Sequence, residues 1–374
     1  MNKINRFLHK LIYYSVPYGI LKRHWRKKRE ERESVNFYRQ YDSFVKSNNR
    51  KEFGPNRLFS VISVEGLGFS GSGAVIDFLR EFSNTLCVGS INDEAIDASR
   101  IATQNYEVDI LRLSGGLFDI ERYIESNNVF HGQAVLQRFV DMSESFPLYV
   151  EIEEAKESFF RFFYAITRRV HCTMKHPCYN SYLYRCKERL SRYEIFYLKR
   201  MTISEYRIIA RNFLSEIFQI LSPQEKVLVL DQLCNDLDSD IQKYLDYIPN
   251  LKIIHVYRDP RDVYEYAIQY NVEWIAHYSV VDFIDWFKIM TTNFSKMENE
   301  SQLYVRFEDL VNCYEMEKSR IETFLDFDNK NHIYKVKFFN PAISRNNIAI
   351  WKKDIQRIEE FNHIERELKE FCYQ

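Results

Sequence analysis

The sequence predicts an α/β protein with a central parallel β-sheet that is flanked by helices and carries a helical insertion. Three observations support this fold class. Short apolar segments rich in β-branched residues alternate with segments whose apolar residues recur at helical spacing. A Gly-rich turn separates the first such strand from the first such helix. The chain has 374 residues, of which 45 % are hydrophobic, so it can bury a substantial core.

The first predicted strand is Leu58–Val64, a β-branched apolar run that ends just before Gly66 and Gly68. Apolar residues then recur at helical spacing within Ala74–Leu79. Strand, tight turn and helix are therefore expected in that order.

Three further strands are predicted at Val227–Leu230, Lys252–Tyr257 and Leu303–Phe307. Helices are predicted at Glu151–Tyr164 and Tyr193–Ile220, where aromatic and aliphatic residues recur every three or four positions. Strands that alternate with helices predict a parallel sheet covered on both faces.

Residues 1–54 are expected to form a basic N-terminal segment, and residues 55–374 to form the α/β domain. Met1–Arg29 contains nine Lys or Arg residues and no acidic residue. Its apolar stretch, Leu11–Leu21, is too short to span a bilayer. Two interpretations stay open: the segment lies on the anionic cytoplasmic face of a membrane, or it is a solvated basic arm that packs on its own domain.

Composition restricts the partners of the chain. Its 52 Lys and Arg residues against 53 Asp and Glu residues leave a formal charge of −1, so no nucleic-acid partner is expected. Seven scattered cysteines without a repeated spacing are typical of a reducing compartment, so we expect a cytoplasmic protein. The spacing of His171, Cys172, His176 and Cys178 matches no standard zinc site, so no metal is expected. The oligomeric state cannot be predicted.

The Gly-rich turn is a candidate phosphate-binding loop. Residues 66–73 place four glycines between a strand and a helix, where backbone N–H groups and the start of the helix can bind an anion. Ser70 and Ser72 add hydroxyl donors. No Lys precedes a Ser or Thr as in the Walker A motif, which argues against an ATPase or GTPase. A plain tight turn is the alternative interpretation.

A second candidate follows the strand Lys252–Tyr257. Arg258 and Arg261 stand at its carboxyl end, where open α/β sheets bind ligands, and guanidinium groups suit phosphate oxygens. Pro260 is expected to set the turn into the next helix, with Asp259 or Asp262 near its start. The alternative is an ordinary helix start with surface charges.

Together, Val61–Leu79 and Leu251–Ala267 resemble the PAPS-dependent sulfotransferase family, particularly its bacterial members that act on carbohydrate. Similar segments occur in the family's order at Val229–Gln232, Tyr304–Leu310 and Ser344–Lys352. The resemblance implies a P-loop-type α/β fold and a sulfuryl transfer from PAPS to a hydroxyl group, with PAP as the product and no metal.

The resemblance also implies where the donor binds. In the family the first loop holds the 5′-phosphosulfate, and the arginine of an Asp-Pro turn binds the 3′-phosphate. Carried over residue by residue, the donor-binding residues are Gly68, Phe69, Ser70, Gly71, Ser72, Gly73, Ala74, Arg258, Tyr266, Arg345, Asn346, Trp351 and Lys352.

Three positions depart from the family pattern. Phe69 stands where a Lys normally neutralises the bridging oxygen, and Gly73 stands where a hydroxyl is usual. Tyr266 replaces a Ser that often contacts the 3′-phosphate. Because sulfuryl transfer depends on positioning and charge stabilisation, another cation has to replace the lysine, and Lys352 and Arg345 are the candidates.

The acceptor hydroxyl needs a general base, which the family places after the first helix. Asp109 is the preferred candidate, because it precedes a Gly-Gly segment similar to a bacterial one in which an acidic residue starts a short strand. Glu94 is the second candidate. A solvated surface carboxylate is the alternative for both.

The expected acceptor is a glycan or glycolipid, that is, a capsular or surface polysaccharide or its lipid-linked precursor. Two other functions stay open. A small-molecule P-loop kinase would bind ATP with Mg²⁺, although the Gly-Lys-Ser/Thr sequence is missing. A sulfotransferase-like protein that binds nucleotide or glycan without turnover would explain Phe69 at the lysine position.

Overall fold

The computed structural model describes most of the chain, with gaps. The described residues are 37–47, 52–54, 57–88, 110–126, 129–171, 194–224, 226–234, 241–272, 274–275, 278–291 and 298–374.

These residues belong to two compact units. The first unit is Met1–Asn56 with Tyr106–Glu216, and the second is Arg57–Asn105 with Ile217–Gln374. In chain order the elements are β1 (Val61–Gly66), α1 (Ser72–Leu79), β2 (Thr85–Val88), α2 (Leu117–Ser126), α3 (Val129–Ser143), α4 (Pro147–Glu151), α5 (Glu153–Ile166), β3 (Thr167–His171), β4 (Glu194–Leu198), α6 (Ile203–Leu221), β5 (Val227–Asp231), α7 (Ile241–Tyr247), β6 (Leu251–Tyr257), α8 (Pro260–Gln269), α9 (Val280–Thr291), β7 (Gln302–Arg306), α10 (Phe307–Asn312), α11 (Tyr314–Leu325), α12 (Pro341–Ser344) and α13 (Ile358–Glu367).

The second unit contains a five-stranded sheet of order β2-β5-β1-β6-β7, in which every neighbouring pair is parallel. The predicted α/β fold with a central parallel sheet is therefore confirmed. Central strand β1 is buried along nearly its whole length, as its continuous β-branched run requires when helices cover both faces of a sheet. One core cluster packs α1 and α11 against the sheet through side chains that include Val64, Phe78 and Ile321.

A second core cluster lies beside the helix that follows β6. It joins α8, α9 and α13 through buried side chains such as Val263, Phe283 and Phe361. Leu67 and Phe69, from the turn after β1, pack against this cluster, so that turn rests on a fixed hydrophobic support.

The first unit is mainly helical and holds an aromatic core that includes Phe37, Phe139, Phe163 and Phe213. The predicted helix Glu151–Tyr164 is confirmed as α5. The predicted helix Tyr193–Ile220 is correct only in its second part, because Glu194–Leu198 is strand β4, antiparallel to β3. Pairing with β3 across a long stretch of sequence overrides the local helical pattern there.

Within the part of the chain that the structure describes, no helix is long and apolar enough to cross a membrane. The basic stretch Met1–Arg29 lies outside the described residues.

Candidate functional site

Two turns leave the sheet at the same edge. The glycine loop (Gly66–Gly73) follows β1, and the arginine turn (Arg258–Asp262) follows β6. These strands are parallel neighbours with Gly66 paired to Val256, so their carboxyl ends lie side by side. The structure thus joins the two predicted segments where open α/β sheets bind ligands.

The glycine loop turns sharply into α1. Phe69 and Gly71 take left-handed conformations with φ of 61° and 93°. A Cβ on Gly71 would lie 2.5 Å from the ring of Phe307, so only glycine fits. As the N-cap of α1, Gly71 offers no side-chain acceptor to the N–H groups of Ser72 and Gly73, while Ala74 donates its N–H to the carbonyl oxygen of Gly71 at 3.0 Å. Such a helix start attracts an anion.

Ser70 places a buried hydroxyl within the glycine loop. Its side chain is buried, and Oγ finds no hydrogen-bond partner among the described residues. A Cβ on Gly66 would lie 2.1 Å from this Oγ, so the glycine is needed to make room for it. A buried hydroxyl without a partner costs about 1–3 kcal/mol, which an oxyanion ligand would recover.

Arg258 connects the glycine loop to a later part of the chain. Its guanidinium donates to the carbonyl oxygen of Phe69 at 3.2 Å and to the carbonyl oxygen of Asn347. It lies between the rings of Tyr266 and Phe307, 4.8 and 5.0 Å from their centroids, and the residue is 5 % exposed. Its Nε is itself buried and has no acceptor within the described structure.

Arg261 has a structural role in the same turn. It binds the carboxylate of Asp259 with two N–H groups, at 3.0 and 2.6 Å, and reaches Glu365 at 2.8 Å. The carboxylate of Asp259 also accepts the backbone N–H of Arg261 and caps α8, with Pro260 in its first turn. The predicted helix start is therefore confirmed, and Arg261 is committed to protein contacts.

Asp262 holds the late segment (Arg345–Lys352) beside the arginine turn. Its carboxylate is fully buried and accepts the backbone N–H groups of Ala349 at 2.8 Å and Trp351 at 3.2 Å. Arg258 lies 3.4 Å away. Burial raises the pKa of Asp262, while Arg258 and the two N–H donors oppose this rise.

Three of the four predicted donor-binding side chains of the late segment are exposed, whereas Trp351 is half-buried with the guanidinium of Arg261 4.3 Å from its ring centroid. Arg345 and Asn346 are exposed and share a 3₁₀ turn with Asn347, whose carbonyl oxygen binds Arg258. Lys352 is exposed one residue beyond Trp351. The fold therefore brings these residues to the edge where the glycine loop begins.

The ring cluster (Phe69, Tyr266, Tyr270 and Trp274) covers one side of this site. Phe69 lies 5.4, 6.0 and 6.3 Å from the other three ring centroids, with interplanar angles of 17 to 24°. The Tyr266 hydroxyl donates to Asn347 Oδ1 at 3.1 Å. Phe69 therefore puts an aromatic ring, and no cation, where the family resemblance expects a lysine.

Glu308 adds a third buried carboxyl group to the two aspartates and two arginines of the arginine turn. Arg258, Asp259, Arg261, Asp262 and Glu308 are all nearly inaccessible to solvent. Glu308 Oε1 accepts the backbone N–H of Asp259 at 2.9 Å, whereas Oε2 has no partner in the described parts of the chain. Burial raises the pKa of Glu308 to about 7. The charge of the turn therefore changes near neutral pH.

The two candidate bases, Asp109 and Glu94, lie outside the described residues. Their roles stay predictions.

Sequence reasoning missed several residues of this site. Glu308 was recognised only as part of a similar segment, and Asp262 only as a residue near a helix start. Each follows a predicted strand closely, and that position was the available signal. The carbonyl of Asn347 and the ring of Trp274 gave no comparable signal, because their roles depend on contacts between distant segments.

No protein-family model matches the chain, and no curated protein sequence matches it. Among solved structures, it is similar to the sulfotransferase domain from the Synechococcus PCC 7002 olefin synthase, at 13 % identity and a TM-score of 0.38, over 87 % of this chain and 99 % of that one. A sulfotransferase domain from the curacin biosynthetic pathway is 14 % identical with a TM-score of 0.34, over 84 % and 98 % of the two chains. Sulfotransferase STF1 from Mycobacterium tuberculosis H37Rv is 10 % identical with a TM-score of 0.36, over 84 % and 81 %. Likenesses of this strength carry no conclusion about activity.

Proposed function

We propose that this chain is a sulfotransferase that moves a sulfuryl group from PAPS to a hydroxyl of a glycan. One observation carries the proposal: the guanidinium of Arg258 hydrogen-bonds to the glycine loop at the carboxyl ends of two adjacent parallel strands. A buried cation and an uncapped helix start thus meet at one ligand-binding edge.

The groups at this edge fit a donor with two separate anionic ends. The uncapped start of α1 and the hydroxyl of Ser70 suit the 5′-phosphosulfate. Arg258 and the hydroxyl of Tyr266 suit the 3′-phosphate, while Asn346 and Trp351 line the adenosine side. The missing Gly-Lys-Ser/Thr sequence argues against ATP as the donor.

The reaction breaks the bond between sulfur and the bridging oxygen of PAPS and forms a new bond from sulfur to the acceptor oxygen. The acceptor proton passes to a carboxylate, for which Asp109 is the first candidate and Glu94 the second. PAP leaves with the bridging oxygen and the electron pair of the broken bond. Negative charge therefore grows on that oxygen and needs a nearby cation.

We assign this cation to the late segment, because Phe69 provides none. Lys352 and Arg345 are the candidates, and Asp262 fixes the backbone that carries them. Lys353 provides a matched control for Lys352, since both are exposed in the same 3₁₀ turn. Lys352→Ala should lower kcat by about 100-fold, and Lys353→Ala by less than about twofold.

The glycan acceptor rests on the family resemblance. A cytoplasmic enzyme that contacts the inner face of the membrane through Met1–Arg29 would meet lipid-linked glycan precursors there. The localisation, the contact and the acceptor are parts of the proposal.

A transfer assay tests the proposed function. Purified protein, ³⁵S-labelled PAPS and glycans extracted from the source organism should yield labelled glycan. The same reaction with heat-denatured protein gives the background. Binding of PAPS without any labelled product would contradict the transferase assignment.

That last result would favour a second candidate function, a protein that binds nucleotide without turnover. Phe69 at the lysine position is the specific observation in its favour. A kinase would instead give transfer of ³²P from ATP with Mg²⁺ and no transfer of ³⁵S.

A further inference from the structure

We infer that Tyr270 and Trp274, the exposed rings of the ring cluster, form the acceptor subsite and bind the face of a sugar ring. The inference rests on the proposed function and deepens it, because it locates the acceptor and states how the acceptor is recognised. Four near-parallel aromatic rings at the mouth of a phosphate-binding loop are its basis.

Two of the four rings are open to solvent, whereas Phe69 and Tyr266 are half-buried. Tyr270 is 60 % exposed and Trp274 is 63 % exposed. Tyr266 belongs to α8 and Tyr270 is its C-cap residue, whereas Trp274 lies beyond the end of the helix. Their contacts with Phe69 bring the three rings together. Large aromatic side chains exposed side by side are typical of a surface that meets a ligand.

The ring cluster is continuous with the glycine loop. Phe69 belongs to the glycine loop, and its ring contacts those of Tyr266, Tyr270 and Trp274. A Cβ on Gly68 would lie 1.8 Å from the ring of Trp274, so this indole packs directly on the loop backbone. A ring bound to the cluster would therefore lie beside the loop that is proposed to hold the phosphosulfate.

The position of the cluster favours the acceptor over the adenine of the donor. Within the described structure, the late segment, which carries the proposed adenosine contacts, meets the cluster through the hydrogen bond that Tyr266 donates to Asn347. Tyr270 and Trp274 instead contact the ring of Phe69, in the loop that is proposed to hold the phosphosulfate. In-line transfer puts the acceptor oxygen on the side of sulfur opposite the bridging oxygen, at the sulfuryl end of the donor and away from its adenine.

The chemistry of the cluster suits a carbohydrate. Aromatic faces carry negative charge, and the C–H groups on one face of a pyranose are weakly positive, so the two surfaces attract each other. The tyrosine hydroxyls offer hydrogen bonds to sugar hydroxyls at the rim. None of the four side chains is charged, so the cluster itself does not require an ionic sugar.

The variants are chosen to separate acceptor binding from donor binding. Tyr270→Ala removes a ring, whereas Tyr270→Phe keeps the ring and removes only the hydroxyl. Trp274→Ala removes the ring that packs on the loop. Tyr334→Ala is the control, because Tyr334 is an exposed aromatic residue of the same unit outside the cluster.

Two measurements on the full-length chain test the inference. The first is the half-saturating glycan concentration in the ³⁵S transfer assay, with the affinity for PAP measured by calorimetry alongside. The second is saturation-transfer NMR on the same glycan extract without donor. We expect Tyr270→Ala and Trp274→Ala to raise the half-saturating concentration roughly 5- to 15-fold and to weaken saturation of the sugar ring protons. Tyr334→Ala should stay within about twofold of wild type, and Tyr270→Phe, which keeps the ring, should lose less affinity for glycan than Tyr270→Ala.

The outcomes distinguish the inference from the proposed function. Labelling of glycan by wild type, with unchanged half-saturation in both alanine variants, would overturn the subsite and leave the function standing. Equal losses of PAP affinity and glycan affinity in the two alanine variants would assign the rings to the donor and would also overturn the acceptor subsite. Ring-dependent saturation transfer without any labelling would support the subsite and contradict the transferase. Absence of both signals in wild type would overturn both.

Discussion

The buried carboxyl of Glu308 makes folding stability depend on pH in a way that one substitution should reveal. Burial raises its pKa from 4.5 to about 7, although the backbone N–H groups of Asp259 and of Glu308 itself oppose this rise, and Oε2 has no partner in the described structure. Between these two values the unfolded chain loses the proton while the folded chain keeps it. The contribution of the protonated Glu308 carboxyl to the free energy of unfolding is therefore fully present below pH 4.5 and is lost as the pH rises towards 7.

The magnitude follows from the shift. One pKa unit corresponds to about 1.4 kcal/mol, so the stability of wild type relative to Glu308→Gln should fall by about 2–3 kcal/mol between pH 5 and pH 8. Glutamine keeps an acceptor for Asp259 and cannot ionise. The fully buried position of Glu308 leaves no solvent screening to reduce this value.

Urea unfolding at pH 5, 6, 7 and 8 measures the effect. Comparison with the variant at each pH cancels the titration of all other groups. Glu359→Gln, which removes an exposed carboxyl group from α13, controls for the loss of one charge. A stability difference between wild type and Glu308→Gln that stays constant across this range, or that changes in the opposite direction, would refute the reasoning.

Three further predictions follow from the contacts of the site. Arg258→Lys keeps the positive charge but loses the planar guanidinium that hydrogen-bonds two carbonyl oxygens, so the affinity for PAP should fall by about 1.5–3 kcal/mol, roughly 10- to 150-fold. Calorimetry measures this affinity, and an unchanged value would contradict the assignment of Arg258 to the 3′-phosphate. Gly71→Ala puts an alanine of left-handed conformation against the ring of Phe307 and should lower the free energy of unfolding by about 1–3 kcal/mol. Gly73→Ala adds a methyl group that meets nothing within 4 Å and should raise the free energy of unfolding by about 0.5–1 kcal/mol, so equal effects of the two variants in urea unfolding would exclude this account of the loop. Removal of residues 1–29 should abolish cosedimentation of the protein with vesicles of anionic lipid at 0.1 M salt. Equal cosedimentation of the full-length and truncated proteins would favour the alternative, a basic arm that packs on its own domain.

Local patterns predicted the part of the fold that depends on local chemistry. The β-branched runs became β1, β5, β6 and β7, because a strand between two helical layers must be apolar on both faces. The start of α8 followed the predicted Asp-Pro cap, since that cap uses only neighbouring residues. Glu194–Leu198 was assigned to a helix because its partner strand lies far away in the chain.

The candidate site was predictable in outline. The glycine loop and Arg258 could be placed at the same edge, since parallel strands align their carboxyl ends. The sequence pattern could not predict the hydrogen-bond partners of the side chains in the site. Arg258 is held by the carbonyl of Asn347, and Asp262 holds the backbone of the late segment, so neither contact depends on a recognisable side-chain motif.

A calorimetric titration with PAP, AMP, and ATP with Mg²⁺ tests the central claim most directly. PAP and AMP differ only in the 3′-phosphate that Arg258 is proposed to bind. We predict that PAP binds at least tenfold more tightly than either of the other nucleotides, and that the Arg258→Lys variant binds PAP and AMP with equal affinity. Equal binding of PAP and AMP, or tighter binding of ATP with Mg²⁺, would contradict a PAPS donor site in this chain.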